Sequence, residues 1–134
     1  MIFVDTSAWY AREVEDDIKH NEALEFGERL GRDEFGAIVT TDYVLDETIT
    51  LLRMRRGAEP ALRFARKVEG SRSVKVIWVD KSIFDYALEI LAKSGDERWS
   101  FTDCTSFAAM RQLRIGKAFT FDEHFKTAGL QLLP

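Results

Sequence analysis

The 134-residue sequence predicts a three-layer α/β/α fold with a central parallel sheet of four to five strands. Short apolar runs rich in β-branched residues recur along the chain and are nearly continuous, which is typical of strands buried on both faces. Segments with helical periodicity separate these runs, and this alternation favours a parallel sheet with helices on both faces. The predicted strands are Ile2–Val4, Ala37–Thr40, Val74–Val79, Ala118–Phe121 and the more weakly patterned Leu130–Leu133.

Apolar residues at helical spacing predict the helices that connect these strands. Pro60 suits the first turn of one of them, and Ser100 followed by Asp103 matches an S-x-x-D helix start. Trp78 lies in a strand pattern and is predicted to be core. No repeat or internal boundary is visible, so one domain over residues 1–134 is expected. The predicted helices are His20–Leu30, Tyr43–Arg55, Glu59–Val68, Ser82–Lys93 and Thr102–Leu113.

Composition excludes several classes of protein. With 46% hydrophobic residues, a chain of this size can bury a core without covalent cross-links, and its single Cys excludes a disulfide framework. No apolar run approaches the roughly 18 residues that a membrane helix needs, and the first residues lack the features of a signal peptide. We therefore expect a cytoplasmic protein with no membrane partner.

The net charge of −4 hides an asymmetry along the chain. Residues 12–34 carry nine acids and four bases, whereas residues 53–75 carry eight bases and two acids. Such a basic segment is compatible with a surface that faces phosphates, and equally with a solvated helix face. Arg53 and Arg56 are the candidate substrate-binding residues in this segment.

Two aspartates follow predicted strands directly. Asp5 comes after the first strand, and Asp122 comes after the strand Ala118–Phe121. Because parallel strands end at the same edge of a sheet, where open sheets bind ligands, both side chains are expected at that edge. Either one alone is more simply explained as a turn or helix cap.

Two further carboxylates lie early in helices that start at the same edge. Helical geometry places Glu47 at the border of an apolar stripe, and Asp103 shares a helix face with Phe107 and Met110. Charged groups that face inward are unusual because their burial is costly without compensation. A structural salt bridge to an arginine is the alternative explanation for each of them.

Taken together, the four carboxylates are predicted to converge. At an effective dielectric of about 20, two such charges ~4 Å apart repel by about 4 kcal/mol, so the cluster must take up protons or bind cations. Oxygen ligands favour Mg²⁺ or Mn²⁺ over zinc. Because Mg²⁺ also favours phosphate oxygens, the pattern indicates metal-assisted cleavage of a phosphodiester.

The motifs that carry these residues resemble those of PIN domains, and more narrowly of VapC-type ribonuclease toxins from toxin–antitoxin pairs. The resemblance extends over nearly the whole chain, in order and with suitable spacing. Each motif is short, but the ordered set is fairly specific. The matching segments are Met1–Ser7, Thr41–Thr48, Ser100–Cys104 and Thr120–Phe125.

The resemblance implies an endoribonuclease that depends on Mg²⁺ or Mn²⁺. It assigns the catalytic and metal-binding roles to Asp5, Glu47, Asp103 and Asp122. It also implies an RNA substrate, a cognate antitoxin that blocks the acidic pocket, and a homodimer. Supporting positions are Thr6, Ser7 and Thr102. The loop acid Asp96 is a further supporting candidate, and the pattern leaves the roles of Asp96, Glu123 and His124 open.

Two other functions remain compatible with the sequence. One is a non-catalytic PIN-like module that binds RNA or a protein partner through the same pocket. The other is a phosphatase with Asp5 as nucleophile, although that chemistry usually needs a second acid at the position that Ser7 occupies. Trp99, in the polar loop before Asp103, is a candidate for stacking on an RNA base.

Overall fold

Five parallel strands form one sheet in the computed structural model, which describes all 134 residues. The spatial order is β3-β2-β1-β4-β5, so the first strand lies at the centre. This arrangement confirms the predicted α/β/α fold, with five strands rather than four. The strands are β1 (Ile2–Val4), β2 (Ile38–Thr41), β3 (Val74–Ile77), β4 (Lys117–Phe119) and β5 (Gln131–Leu133).

Seven helices cover the two faces of this sheet. Helix α5 packs along α6, while α1 packs against both α2 and α3. None of the helices combines the length and the hydropathy that crossing a bilayer requires. The helices are α1 (Thr6–Glu13), α2 (His20–Gly31), α3 (Asp42–Arg56), α4 (Ala58–Gly70), α5 (Lys81–Ala92), α6 (Phe101–Gln112) and α7 (His124–Thr127).

The core is one contiguous cluster of buried apolar residues on both sides of the sheet. Phe3 of the central strand packs against Phe125 of α7, and Phe125 in turn meets Phe107 of α6 edge-on at 5.1 Å between ring centroids. All three rings are fully buried. Because α6 and α7 are anchored by these rings, their first residues are held at fixed positions above the sheet.

Helix α1 is an element that the periodicity does not predict. Its middle residues Ala8, Trp9, Tyr10 and Ala11 are all buried, so the helix has no polar face to produce an amphipathic pattern. Its start is nevertheless encoded locally, because the Asp5 carboxylate accepts a hydrogen bond from the Ser7 N–H as an N-cap.

Strand ends also differ from the predictions. Strand β3 ends at Ile77, and Trp78 beyond it is 73% exposed, so the prediction of a core tryptophan is wrong. The third strand lies at an edge of the sheet, pairs with β2 alone, and has no fully buried residue. Strand β4 ends at Phe119, which places Asp122 three residues past the strand rather than directly after it.

Candidate active site

The carboxyl ends of β1, β2 and β4 meet at one edge of the sheet. Asp5 directly follows β1, Glu47 lies in the second turn of the helix that begins after β2, and Asp122 follows β4. Helix α6 leads into β4, so its first turn, with Asp103, lies over the same edge. The topology therefore brings together the carboxylates that the sequence singled out.

Asp5 is a buried carboxylate, with only 5% of its surface exposed. Its Oδ2 atom accepts hydrogen bonds from the N–H and hydroxyl of Ser7, at 3.3 and 3.2 Å, and from the hydroxyl of Thr120 at 3.1 Å. Burial is the main cause that raises the pKa of Asp5 to about 6, and the negative charges of Asp103 and Glu47 act in the same direction. Asp5 is thus held firmly in a place that disfavours its charge.

Glu47 is half-buried on the inner side of α3. Burial raises its pKa, and the charges of Asp103 and Asp122 raise it further. The nearby hydroxyls of Thr6 and Thr102 act in the opposite direction and lower it. Because the pKa of Asp5 responds to the charges of Asp103 and Glu47, and that of Glu47 to the charges of Asp103 and Asp122, the four groups act as one electrostatic unit rather than as separate helix caps.

Asp103 is fixed by the predicted helix start. The Ser100 hydroxyl accepts from the Asp103 N–H at 3.0 Å, and Oδ2 of Asp103 accepts from the Ser100 N–H at 3.0 Å. This reciprocal pair is a capping box and confirms the S-x-x-D prediction. The same oxygen lies 3.1 Å from Nδ1 of His124. Asp103 therefore takes part in the local fold and in the cluster at the same time.

Asp122 lies at the turn that leads into α7. Its Oδ1 atom accepts a hydrogen bond from the His124 N–H at 2.9 Å, and the His124 Nδ1 atom lies 3.6 Å from the same oxygen. Ligand atoms of Asp103, Asp122 and His124 all lie within 4.8 Å of one another. The turn thus brings an imidazole into the carboxylate cluster.

The cluster has no lysine or arginine side chain to balance its negative charge. The ion pairs that involve Lys or Arg lie elsewhere, and no Lys or Arg nitrogen comes within 4.0 Å of any of the four carboxylates. The alternative explanation of Glu47 and Asp103 as partners of a structural arginine is therefore wrong. The local excess of negative charge is what a bound cation would relieve.

The four predicted supporting residues have different surroundings. Ser7 contacts Asp5 directly and also accepts a hydrogen bond from the Phe121 N–H at 2.9 Å. Thr6 and Thr102 act on Glu47, as described above. Asp96 lies in the exposed loop after α5 and has no hydrogen bond or ion pair, so its supporting role stays a prediction.

The predicted substrate contacts are not part of the cluster. Trp99 packs edge-on against Phe107 with centroids 5.2 Å apart, and its indole N–H donates to the Thr127 hydroxyl at 3.0 Å. Arg56 is paired with Asp16 at the end of α3, while Arg53 is exposed and has no ion pair. Their contact with RNA stays a prediction.

Sequence reasoning did not assign a role to Thr120. This buried hydroxyl donates to Asp5, lies 3.1 Å from the Ser7 hydroxyl, and accepts from the Asp122 N–H at 3.0 Å. Its position one residue after β4 is the signal that could have identified it, because residues just past parallel strands line the functional edge.

Sequence comparison identifies relatives over nearly the whole chain. The profile of the PIN domain family matches residues 2–130. The chain is 38% identical over 129 residues to the 23S rRNA-specific endonuclease VapC20 of Mycobacterium tuberculosis, a match that covers 96% of this chain and 95% of that protein. It is 25% identical over 123 residues to a VapC ribonuclease of Archaeoglobus fulgidus, which covers 91% and 77% of the two chains.

Structural comparison agrees. The crystal structure of Mycobacterium tuberculosis VapC20, a toxin that cleaves the sarcin-ricin loop, superposes with a TM-score of 0.87 and 36% identity over 97% of this chain and 96% of that one. FitAcB from Neisseria gonorrhoeae superposes with a TM-score of 0.71 at 13% identity over 100% and 97% of the chains, a likeness of fold alone. The chain therefore belongs to the PIN domain family and, within it, to the VapC proteins.

Proposed function

We propose that the protein is an endoribonuclease in which Asp5, Glu47, Asp103 and Asp122 hold Mg²⁺ or Mn²⁺. The observation that carries this proposal is the convergence of the four carboxylates at one sheet edge with no Lys or Arg to balance them. Structural acids in such numbers normally have cationic partners, because unpaired buried charge is strongly unfavourable. A divalent cation is the partner that this donor set fits.

The hydrogen bonds of the three aspartates support this fit. In each of them one carboxylate oxygen takes up the local hydrogen bonds, namely Oδ2 of Asp5, Oδ2 of Asp103 and Oδ1 of Asp122. The second carboxylate oxygen of each aspartate accepts no hydrogen bond. None of these second oxygens is fully buried, so each is partly open to solvent. Three oriented oxygens therefore remain accessible as ligands, which is the kind of donor that Mg²⁺ and Mn²⁺ prefer.

The chain's own residues prepare this site for phosphodiester hydrolysis. When bound, the metal supplies an activated water and neutralises charge on the RNA phosphate. Ser7 and Thr120 fix Asp5, and the capping box fixes Asp103, so the ligand directions are set before RNA binds. By family analogy, water is the nucleophile and cleavage leaves 5′-phosphate and 3′-hydroxyl ends.

The relatives support RNA as the substrate and a toxin as the biological role. VapC20, at 38% identity, is named for cleavage of 23S rRNA, so a stem-loop of the large ribosomal RNA is the first substrate to test. The proposal includes a cognate antitoxin, a homodimer and a cytoplasmic site of action, all expected from the family.

Neither rival function gains support. In the phosphatase mechanism Asp5 would attack phosphorus, but that chemistry usually needs a second acid two residues on, and Ser7 occupies this position. A module that only binds would not need the complete acidic set. We therefore favour hydrolysis over both.

A matched pair of neighbouring substitutions tests the proposal. Glu47→Gln removes one carboxylate of the cluster, and Asp46→Asn removes the exposed acid beside it. With Mn²⁺ or Mg²⁺ and ribosomal RNA, we expect Glu47→Gln to lose more than about a hundredfold in cleavage rate, above the loss typical of outer metal partners. Asp46→Asn should cleave like the parent protein.

Removal of the metal by a chelator is a second test of the proposal. EDTA should abolish cleavage, and an excess of Mn²⁺ should restore it. Full activity in EDTA would contradict the metal-dependent mechanism. Tight Mn²⁺ binding without cleavage of any RNA would instead favour the binding-only module.

A further inference from the structure

His124 is held against the carboxylate cluster by the fold of α7. Its N–H donates to Asp122 Oδ1 at 2.9 Å, which fixes the first residue of this short helix. The next residue, Phe125, is fully buried between Phe3 and Phe107. With its neighbour anchored in the core, the backbone of His124 is held beside the cluster.

The ring nitrogen is spaced as a metal ligand would be. His124 Nδ1 lies 3.1 Å from Asp103 Oδ2 and 3.6 Å from Asp122 Oδ1. Adjacent ligands of an octahedral ion with bonds of about 2.1 Å lie about 3 Å apart, and opposite ones about 4.2 Å. These two oxygens also accept backbone hydrogen bonds, but a carboxylate oxygen has a second lone pair and its partner oxygen is free, and ligand atoms of all three residues lie within 4.8 Å of one another, so the imidazole and the two carboxylates are close enough to hold one ion.

The chain contains one other histidine, and it is used differently. His20 opens α2, and its Nδ1 atom lies 2.7 Å from the carbonyl oxygen of Ala11. It contacts no carboxylate within ion-pair distance. His124 is thus the only nitrogen ligand that the chain offers to the cluster.

We propose that His124 is a nitrogen ligand of the metal held by Asp103 and Asp122, and that it makes the site prefer Mn²⁺ to Mg²⁺. This inference rests on the proposed function, because it concerns the same ion. Imidazole binds transition metals well, whereas Mg²⁺ takes oxygen ligands almost exclusively. A purely acidic site would not discriminate between the two ions in this way.

A different role for His124 makes different predictions. If its ring only donated a hydrogen bond to Asp103, it would orient that carboxylate without touching the metal. Such a positioning residue would affect Mn²⁺ and Mg²⁺ alike. The preference between the two ions therefore separates a ligand from an orienting group.

Pulsed electron paramagnetic resonance of bound Mn²⁺ tests the bond directly. The full chain is prepared with ¹⁵N-labelled histidine in a His20→Gln background, so that His124 carries the only labelled nitrogens. We expect a ¹⁵N coupling on the Mn²⁺ signal that His124→Asn removes. Bound Mn²⁺ with no nitrogen coupling would overturn the proposal.

Titration calorimetry with each metal alone tests the preference. Asn can offer a side-chain oxygen near the place of Nδ1, so His124→Asn should keep Mg²⁺ affinity and lower Mn²⁺ affinity by about tenfold. The controls are His20→Gln and Glu123→Gln, which alter the other histidine and the exposed acid beside His124. Both should bind each metal like the parent protein.

The outcomes separate this proposal from the function on which it rests. An equal loss of Mn²⁺ and Mg²⁺ affinity in His124→Asn would make His124 a positioning residue and overturn the ligand assignment, while leaving the four carboxylates in place. If the parent protein bound neither metal, or if Asp103→Asn bound Mn²⁺ as tightly as the parent, the proposed metal site itself would fail.

Discussion

The hydroxyl of Thr120 donates to Oδ2 of Asp5 at 3.1 Å and joins two strand ends that lie 115 residues apart in the sequence. The same hydroxyl accepts from the Asp122 N–H at 3.0 Å. The Thr120 side chain thus positions the carboxylate of Asp5, which follows β1, and the backbone of Asp122, which follows β4. Since both partners belong to the proposed metal site, Thr120 links the fold of the sheet edge to the spacing of the ligands.

Replacing Thr120 by Val should weaken both the fold and the site. The substitution keeps the shape of the side chain but leaves the buried Asp5 oxygen without one of its donors and the Asp122 N–H without its acceptor. We expect a loss of about 1–3 kcal/mol in the free energy of unfolding, measured by urea denaturation. Mn²⁺ affinity should fall by about 10–100-fold.

Thr50 provides the control for this substitution. It is exposed on α3 and its hydroxyl makes no hydrogen bond, so Thr50→Val should change the free energy of unfolding by less than about 0.5 kcal/mol. Equal stability of Thr120→Val and the parent protein would show that the bond to Asp5 is not important for the fold.

Asp5→Asn should stabilise the metal-free protein as the pH rises. Burial raises the pKa of Asp5 from 3.8 to about 6, so between these values the folded chain binds more protons than the unfolded chain. Stability associated with Asp5 is therefore fully present below pH 4 and is lost as the pH passes 6. The loss corresponds to about 3 kcal/mol, and Asn does not incur it.

Thermal unfolding in EDTA between pH 4 and 7.5 measures this difference. Asn can accept the same hydrogen bonds as an N-cap, so the fold should be retained, while cleavage should be lost. Asp46→Asn, which removes an exposed acid, reports the effect of overall charge. A stability difference between Asp5→Asn and the parent that stays constant over this range would contradict the cost assigned to the buried charge.

Ser100→Ala should lower both the stability of the protein and its affinity for Mn²⁺. The loss of the cap should cost about 1 kcal/mol in the free energy of unfolding. It should also weaken Mn²⁺ binding several-fold, since Asp103 forms the other half of the capping box.

Asp80→Ala removes the cap of α5, where Asp80 accepts from the Ile83 N–H at 2.9 Å. It should cost similar stability without altering Mn²⁺ affinity. If calorimetry gave both variants the same affinity for Mn²⁺, the capping box would have no part in ordering the site.

The fold was predictable because its signals are local. Buried strands such as Ile2–Val4 are continuous apolar runs. The start of α6 is determined by Ser100 and Asp103, three positions apart, which form the capping box. Helix α1 and the exposed Trp78 were not predicted correctly, because burial on all sides and edge position are decided by tertiary packing. Periodicity in one segment contains no information about what covers it.

The candidate site divides in the same way. Topology alone predicts that Asp5 and Asp122 share an edge, since parallel strands end together. The bond between Thr120 and Asp5 and the contact of His124 with Asp103 depend on side-chain directions across more than twenty residues of sequence. Such directions follow from the packed structure, and no spacing rule supplies them.

Arg53 and Arg56 should contribute unequally to RNA binding, although both lie in the last turn of α3. The Arg56 charge is already paired with Asp16, whereas Arg53 is exposed and has no ion pair. A free cation that contacts a phosphate releases a counterion, so Arg53→Gln should weaken RNA binding and lower the slope of log K against log salt by about 0.7. Arg56→Gln should change that slope less.

Fluorescence anisotropy between 50 and 300 mM salt, in a Glu47→Gln background to prevent cleavage, measures both slopes. Equal slopes for Arg53→Gln and its parent would place the RNA path away from the end of α3, because an exposed, unpaired arginine on that path would displace a condensed cation from the RNA backbone when it binds a phosphate.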